Sequence, residues 1–298
     1  MLGVTMTLRR LLTARRGGLL ARIALYGGAL LLGIPWALSQ MMITTVRQPA
    51  HAVFPPYEEA WLHVDGLRLR TWTVRGRPER AAVVVAHGLG DTLESFTGVA
   101  ERLNQRGHTV LLLDMRAHGG SEGRYTTLGG REREDVRAAM AHLRGQALAG
   151  SGFLLMGYSM GAAAVLRAAA REPEARAVVA EAPYDTFRET VAWHGRLYYG
   201  LPRWFPLTPL AVGIAEWRAG FDADEVDVVR AARETRGALL AIADGGDPRM
   251  PERVVRRVFD AHPGPKEFWL APGAEHAGAS ARPEYWPKVL GFLSASGL

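Results

Sequence analysis

The chain has no cysteine in its 298 residues. Disulfides, thiolate nucleophiles and Cys-ligated metal sites are therefore excluded. Acidic residues are missing from one stretch: residues 1–47 carry Arg9, Arg10, Arg15, Arg16, Arg22 and Arg47 but no Asp or Glu. That stretch accounts for the whole formal net charge of +6, so residues 48–298 are balanced. A nucleic-acid partner needs positive charge on the folded face that meets phosphate, and none is expected here. Internal repeats and low-complexity blocks are absent as well. With 48% hydrophobic and 22% charged residues, composition is ordinary for a globular chain, and a sizeable core is expected.

The longest uncharged run is IALYGGALLLGIPWALSQMMITTV at 23–46, in which only Ser39, Gln40, Thr44 and Thr45 are notably polar. About 20 apolar residues cross the hydrocarbon layer as a helix. The arginines before the run, against Arg47 alone close behind it, put residues 1–22 in the cytoplasm as a basic tail and the remainder outside. A cleaved signal peptide is the rival reading, since Ala37-Leu38-Ser39 resembles a small-x-small cleavage site and would release a secreted protein. The apolar run continues past that site, which favours a retained single-pass anchor. An amphipathic surface helix would need a polar face, which the run lacks. Residues 47–57, with Pro49, Pro55 and Pro56, are expected to form an extended linker.

From residue 58 onward, short apolar runs alternate with helical patterns. AWLHVDGLRLRTWTV (60–74) reads as a hairpin turning at Asp65-Gly66. Runs at 81–86, 109–113, 153–156, 177–180, 238–243 and 267–270 read as buried strands. Helices are expected at 93–106, 131–145, 160–171, 222–235 and 251–261. This alternation indicates an α/β fold with a mainly parallel sheet, helices on both faces and an antiparallel N-terminal edge. Sites in such sheets lie beyond the carboxyl ends of the strands.

Four strand ends carry candidate chemistry. Gly157-Tyr158-Ser159-Met160-Gly161 is G-x-S-x-G between a strand and an Ala-rich helix. In that context the serine sits on a sharp turn with its oxygen exposed, and Gly157 and Gly161 let backbone approach closely. His87-Gly88-Leu89-Gly90-Asp91 follows another run. The backbone N–H groups of Leu89 and Met160 are the natural pair for a tetrahedral oxyanion, while His87 reads as structural. Asp247, in the turn after 238–243, is the preferred acid to orient a histidine, with Asp244 as its rival. His276 follows the last run. Serine, acid and histidine therefore occur in the order Ser159, Asp247, His276.

These motifs resemble the α/β-hydrolase superfamily from about residue 58 to the end. They are HGLGD at 87–91, DMRAHGGSEG at 114–123, GYSMG at 157–161, ADGGDPRMP at 243–251 and GAEH at 273–276. The layout is similar to membrane-anchored serine hydrolases of the esterase, lipase and serine aminopeptidase branch. In the second motif Ala117 stands where the family has glycine, and the resemblance assigns Arg116, His118 and Ser121 no catalytic part. The fourth motif aligns Asp247, rather than Asp244, with the family's acid. Asp185 is a third candidate, because some relatives place the acid after the sixth strand. The resemblance also implies a small helical cap at about 184–236, where Trp193, Tyr198, Tyr199, Trp204, Phe205 and Trp217 either line an acyl pocket or form the core of the cap. The expected activity is ester hydrolysis on a small-molecule acyl or lipid substrate, with neither metal nor organic cofactor. A peptidase and a non-catalytic binding protein are the alternatives.

Overall fold

The computed structural model describes residue 22 and residues 25–298. The basic tail, apart from Arg22, and the first two residues of the expected span lie outside the described residues. The first helix, α1 (Leu25–Ile43), has 19 residues and is long and apolar enough to cross a membrane by length and composition. Leu25, Leu30, Leu31, Leu32 and Ile34 remain exposed on it, whereas Ser39 and Ile43 near its end are fully buried against the rest of the chain.

The strands are β1 (Glu58–Val64), β2 (Leu67–Val74), β3 (Ala82–Ala86), β4 (Val110–Leu113), β5 (Phe153–Tyr158), β6 (Ala175–Glu181), β7 (Ala238–Asp244) and β8 (Lys266–Ala271). They form one sheet in the order β1-β2-β4-β3-β5-β6-β7-β8. The expected hairpin is there, with Val64 opposite Leu67. β2 is antiparallel to both neighbours, and every pair from β4 to β8 is parallel. The central strands are apolar on both sides because both faces are covered. In β3, Val84 and Ala86 join one core with Val136, Met140 and Ala162, while Val83 and Val85 join the other with Val99, Leu103 and Val289.

The crossover helices include α2 (Thr97–Asn104), α3 (Glu132–Gly145), α4 (Met160–Ala169), α7 (Val228–Glu234) and α8 (Glu252–Ala261), while α9 (Tyr285–Ala295) follows the last strand and packs in the same core as α2. The helix expected at 93–106 is split, because Leu93–Phe96 winds as a 3-10 turn before α2. α5 (Phe187–Tyr199) and α6 (Thr208–Ala219) fill the segment between β6 and β7. Of the two readings of its aromatics, the cap core does not hold for Trp204 and Trp217, which are 79% and 76% exposed, and the packing comes from Phe187, Ala211, Val212 and Ala215. Residues 47–57 are non-helical as expected, but they are laid on the domain rather than free. Arg47 donates to the carbonyls of Ser121 (2.6 Å) and Gly123 (2.9 Å), and Gln48 Nε2 donates to that of Gly90 (2.7 Å).

The 114–123 loop is a structural brace. Asp114 accepts from the N–H groups of Leu93 and Gly120, and Arg116 pairs with the buried Asp135. Ala117 has φ +65° and is buried. A left-handed backbone strains any residue with a Cβ, which explains why a glycine suits this place. Ala117→Gly is expected to raise unfolding stability by about 0.5–1 kcal/mol, measured by urea denaturation of both chains in the same detergent.

Candidate active site

The chain runs from β3 out to β4 and returns on the other side as β5, so consecutive crossovers leave from neighbouring strands toward opposite faces. The crevice between the carboxyl ends of β3 and β5 is the place where open parallel sheets bind ligands. The HGLGD and GYSMG loops both end there.

Ser159 caps α4 in a strained conformation, φ +53° and ψ −113°. The flanking glycines make that turn possible. A Cβ on Gly161 would lie 2.1 Å from the carbonyl oxygen of Ala86, and one on Gly157 would lie 2.4 Å from that of Gly161. No side chain fits at either place without moving backbone. Ser159 Oγ lies 2.8 Å from His276 Nε2, and His276 Nδ1 lies 2.6 Å from Asp247 Oδ2. Burial alone would raise the Asp247 carboxyl, but the hydrogen bond and charge of His276, with N–H groups of Met250 and Arg249, hold it below the ordinary carboxylate value. An ionised Asp247 takes the Nδ1–H, which leaves Nε2 free to accept a proton from Ser159.

The three candidate acids separate cleanly in space. Asp247 meets His276. Asp244 accepts the backbone N–H of Ala277 instead (2.8 Å). Asp185 pairs with Arg257 (3.0 Å) and accepts the N–H of Thr186. Met160 follows the serine in the chain and Leu89 lines the same hollow, and neither backbone N–H carries a protein hydrogen-bond partner among the described residues. Gly88 packs on the serine, its would-be Cβ 3.7 Å from Ser159 Cβ. His87 is buried, with Nδ1 facing the carbonyl oxygen of Gly88 (2.7 Å) and Nε2 accepting the N–H of Met115 (3.1 Å). Burial pushes it below the ordinary imidazole value, as suits a neutral ring.

Ser159 and His276 open into a cavity of about 460 Å³, lined also by Leu89, Met42, Tyr199 and Met250. Small-molecule sites occupy about 300–1,000 Å³ and are mostly apolar with few polar groups. A second hollow of about 490 Å³ lies at the other end of the sheet, beside Ala175, Ala238 and Lys266. That is the amino-terminal end of its strands, away from these groups.

The chain is an α/β-hydrolase by fold. A solved structure of the Pyrococcus furiosus esterase Pf2001 superposes with TM-score 0.69 at 23% identity, covering 85% of this chain and 98% of that one. A family model described as serine aminopeptidase, S33, matches residues 77–212, less than half of the chain. Among curated proteins, the uncharacterized protein YqkD of Bacillus subtilis is 29% identical over 197 residues, 65% of this chain. That match spans 64% of YqkD, slightly under two thirds of its length. The uncharacterized protein Rv2307c of Mycobacterium tuberculosis is 29% identical over 217 residues, 71% of this chain and 69% of that protein.

Sequence reading passed over one part of this hydrolase-fold site. Glu181, at the end of β6, is buried and accepts the N–H of Ala279 (2.9 Å), so Glu181 and Asp244 together hold the loop that carries His276. An acid closing an apolar strand (Ala177-Val178-Val179-Ala180-Glu181) was the available signal. Burial raises both carboxyls, Asp244 to about 6 and Glu181 well above its usual value; the charge of Asp247 adds to the first and that of Asp244 to the second. An acid whose folded pKa is raised contributes stability below its unfolded value and loses it as pH rises through the folded one. Asp244→Asn cannot ionise. Its melting temperature should therefore gain on the native chain between pH about 4 and about 6, with a constant difference above that, read by differential scanning fluorimetry across pH.

Proposed function

We propose that this chain is a serine hydrolase that cleaves a carboxylic ester through an acyl-enzyme. The observation that carries the reading is the Ser159–His276–Asp247 relay, with separations of 2.8 and 2.6 Å, at the mouth of an apolar cavity. His276 takes the proton of Ser159 as Oγ attacks the carbonyl carbon, and Asp247 orients the imidazole and stabilises it when charged. The Leu89 and Met160 N–H groups receive the oxyanion, typically worth about 3–4 kcal/mol for each donor. The alcohol leaves with the proton from His276. Water, deprotonated by the same ring, then releases the acid and restores Ser159.

The choice of ester over peptide rests on the cavity wall. An aminopeptidase site needs a carboxylate facing the substrate's free amine. Of the acids of the cap, Glu189 pairs with Arg203, Glu216 and Asp224 with Arg188, and Glu225 with Arg230, Asp222 accepts the N–H of Asp224, and none of the five lines the cavity. Asp91 is the one carboxylate among the described residues lining the cavity, and its Oδ1 accepts from Thr92 N–H and Ser95. A purely binding protein would have no use for an assembled relay.

A fluorophosphonate probe should label the native chain and fail on Ser159→Ala. p-Nitrophenyl esters should be turned over and aminoacyl-anilides should not, with kcat falling by at least about 10⁴-fold in Ser159→Ala. Labelling that persists in Ser159→Ala, or preferred anilide turnover, would overturn the assignment.

A further inference from the structure

The end of α1 is built into the site rather than hanging from it. Leu38, Met41 and Met42 line the same cavity as Ser159 and His276. Across that cavity from the cap, Tyr199 Oη lies 3.7 Å from Met41 Sδ. The helix end is also clamped. Arg218 of α6 donates to Ser39 Oγ (3.0 Å), bonds Gln40 Oε1 and stacks over Trp36 at 4.3 Å from the ring centroid. Ile43 is fully buried, and its carbonyl accepts the N–H of Thr126 (2.9 Å). Just beyond, Gln48 ties down Gly90, the residue after Leu89 in the proposed oxyanion loop. Farther toward the N-terminus the helix loses this cover, and Leu25, Leu30, Leu31 and Leu32 are all more than half exposed.

One continuous apolar helix therefore runs from an uncovered, lipid-compatible stretch into the wall of the cavity. Beside its clamped end stands the exposed Trp217, next to Arg218, with Trp204 on the same cap. Trp and Arg favour the membrane–water interface. We propose that α1 is a retained membrane helix whose last two turns form the acyl-binding wall, and that the substrate is a long-chain acyl ester entering from the bilayer along it. This rests on the ester-hydrolase reading above. It also favours an anchor over a signal, because cutting after Ser39 would remove Leu38 from the wall and Ser39 from its bond with Arg218.

The cysteine-free chain supplies a direct test. Full-length Met41→Cys and, separately, Leu38→Cys are prepared in detergent, each carrying a single thiol. Each is treated with an ethyl or a hexadecyl fluorophosphonate, and the adduct on Ser159 is verified by mass. The rate at which maleimide then labels the introduced thiol is measured. The hexadecyl adduct should slow labelling several-fold, and the ethyl adduct should leave it unchanged. Equal rates with both adducts on Ser159 would overturn the acyl wall while leaving the hydrolase reading intact. No adduct with either probe would remove the hydrolase reading and this proposal with it. In Met41→Trp, which narrows the cavity, the ratio of kcat/KM for a dodecanoyl over an acetyl ester should fall about tenfold. An unchanged ratio would overturn the proposal by a second route. The native chain recovered from membranes should also retain residues 25–43, and an N-terminus at residue 40 would refute retention.

Discussion

The site depends on a backbone contact. The carbonyl oxygens of Ala86 and His87 press on Gly161, where a Cβ would lie 2.1 and 2.5 Å away, and Gly161 in turn presses on Gly157. This brings the end of β3, the end of β5 and the start of α4 closer than any side chain allows. The closure forces Ser159 into φ +53°. Strain of that kind costs on the order of 1–3 kcal/mol and persists only where the surroundings over-determine it. Here α4 is buried along its whole length and packed by alanines, so there is no slack through which the turn could relax.

Burial acts in opposite directions on the nearby acids. Asp247 is buried yet held low, because His276 and two backbone N–H groups satisfy its charge. Glu181 and Asp244 are buried with one oxygen each lacking a protein partner among the described residues, and they are raised. Asp247 faces the imidazole, while one oxygen of each of the other two accepts an N–H of the backbone that carries it. The opposite shifts follow from the hydrogen bonds and neighbouring charges that each carboxyl meets.

Much of this was legible along the chain. Continuous apolar runs predicted the parallel strands because a strand covered on both faces has no polar side to display. The G-x-S-x-G turn was readable because its glycines answer a local steric need. Other parts were not. Asp244 and Asp247 are three residues apart in one glycine-rich turn, and only the approach of the His276 loop separates their partners. The cap aromatics left two readings open because lining, buried and exposed aromatics look alike in sequence; Tyr198 and Tyr199 line the cavity, while Trp204 and Trp217 are exposed. Residues 47–57 read as a linker because their prolines report local stiffness and say nothing of the carbonyls that Arg47 and Gln48 reach.

The sequence by itself determined the alternation of strands and helices, the sharp serine turn, the order Ser159, Asp247, His276 and the one long uncharged segment. These are periodic or local properties, written in neighbouring residues. The tertiary structure alone decided which acids become buried and that Leu38, Met41 and Met42 share a cavity with Ser159, and it brings Asp247, the aspartate that the motif alignment favoured, to His276. Those contacts join residues far apart along the chain, 29 positions for Asp247 and His276 and more than a hundred for the end of α1 and Ser159. They exist because the sheet brings loops from β3, β5, β7 and β8 to one rim and seats the end of α1 beside them, and no local pattern encodes that closure.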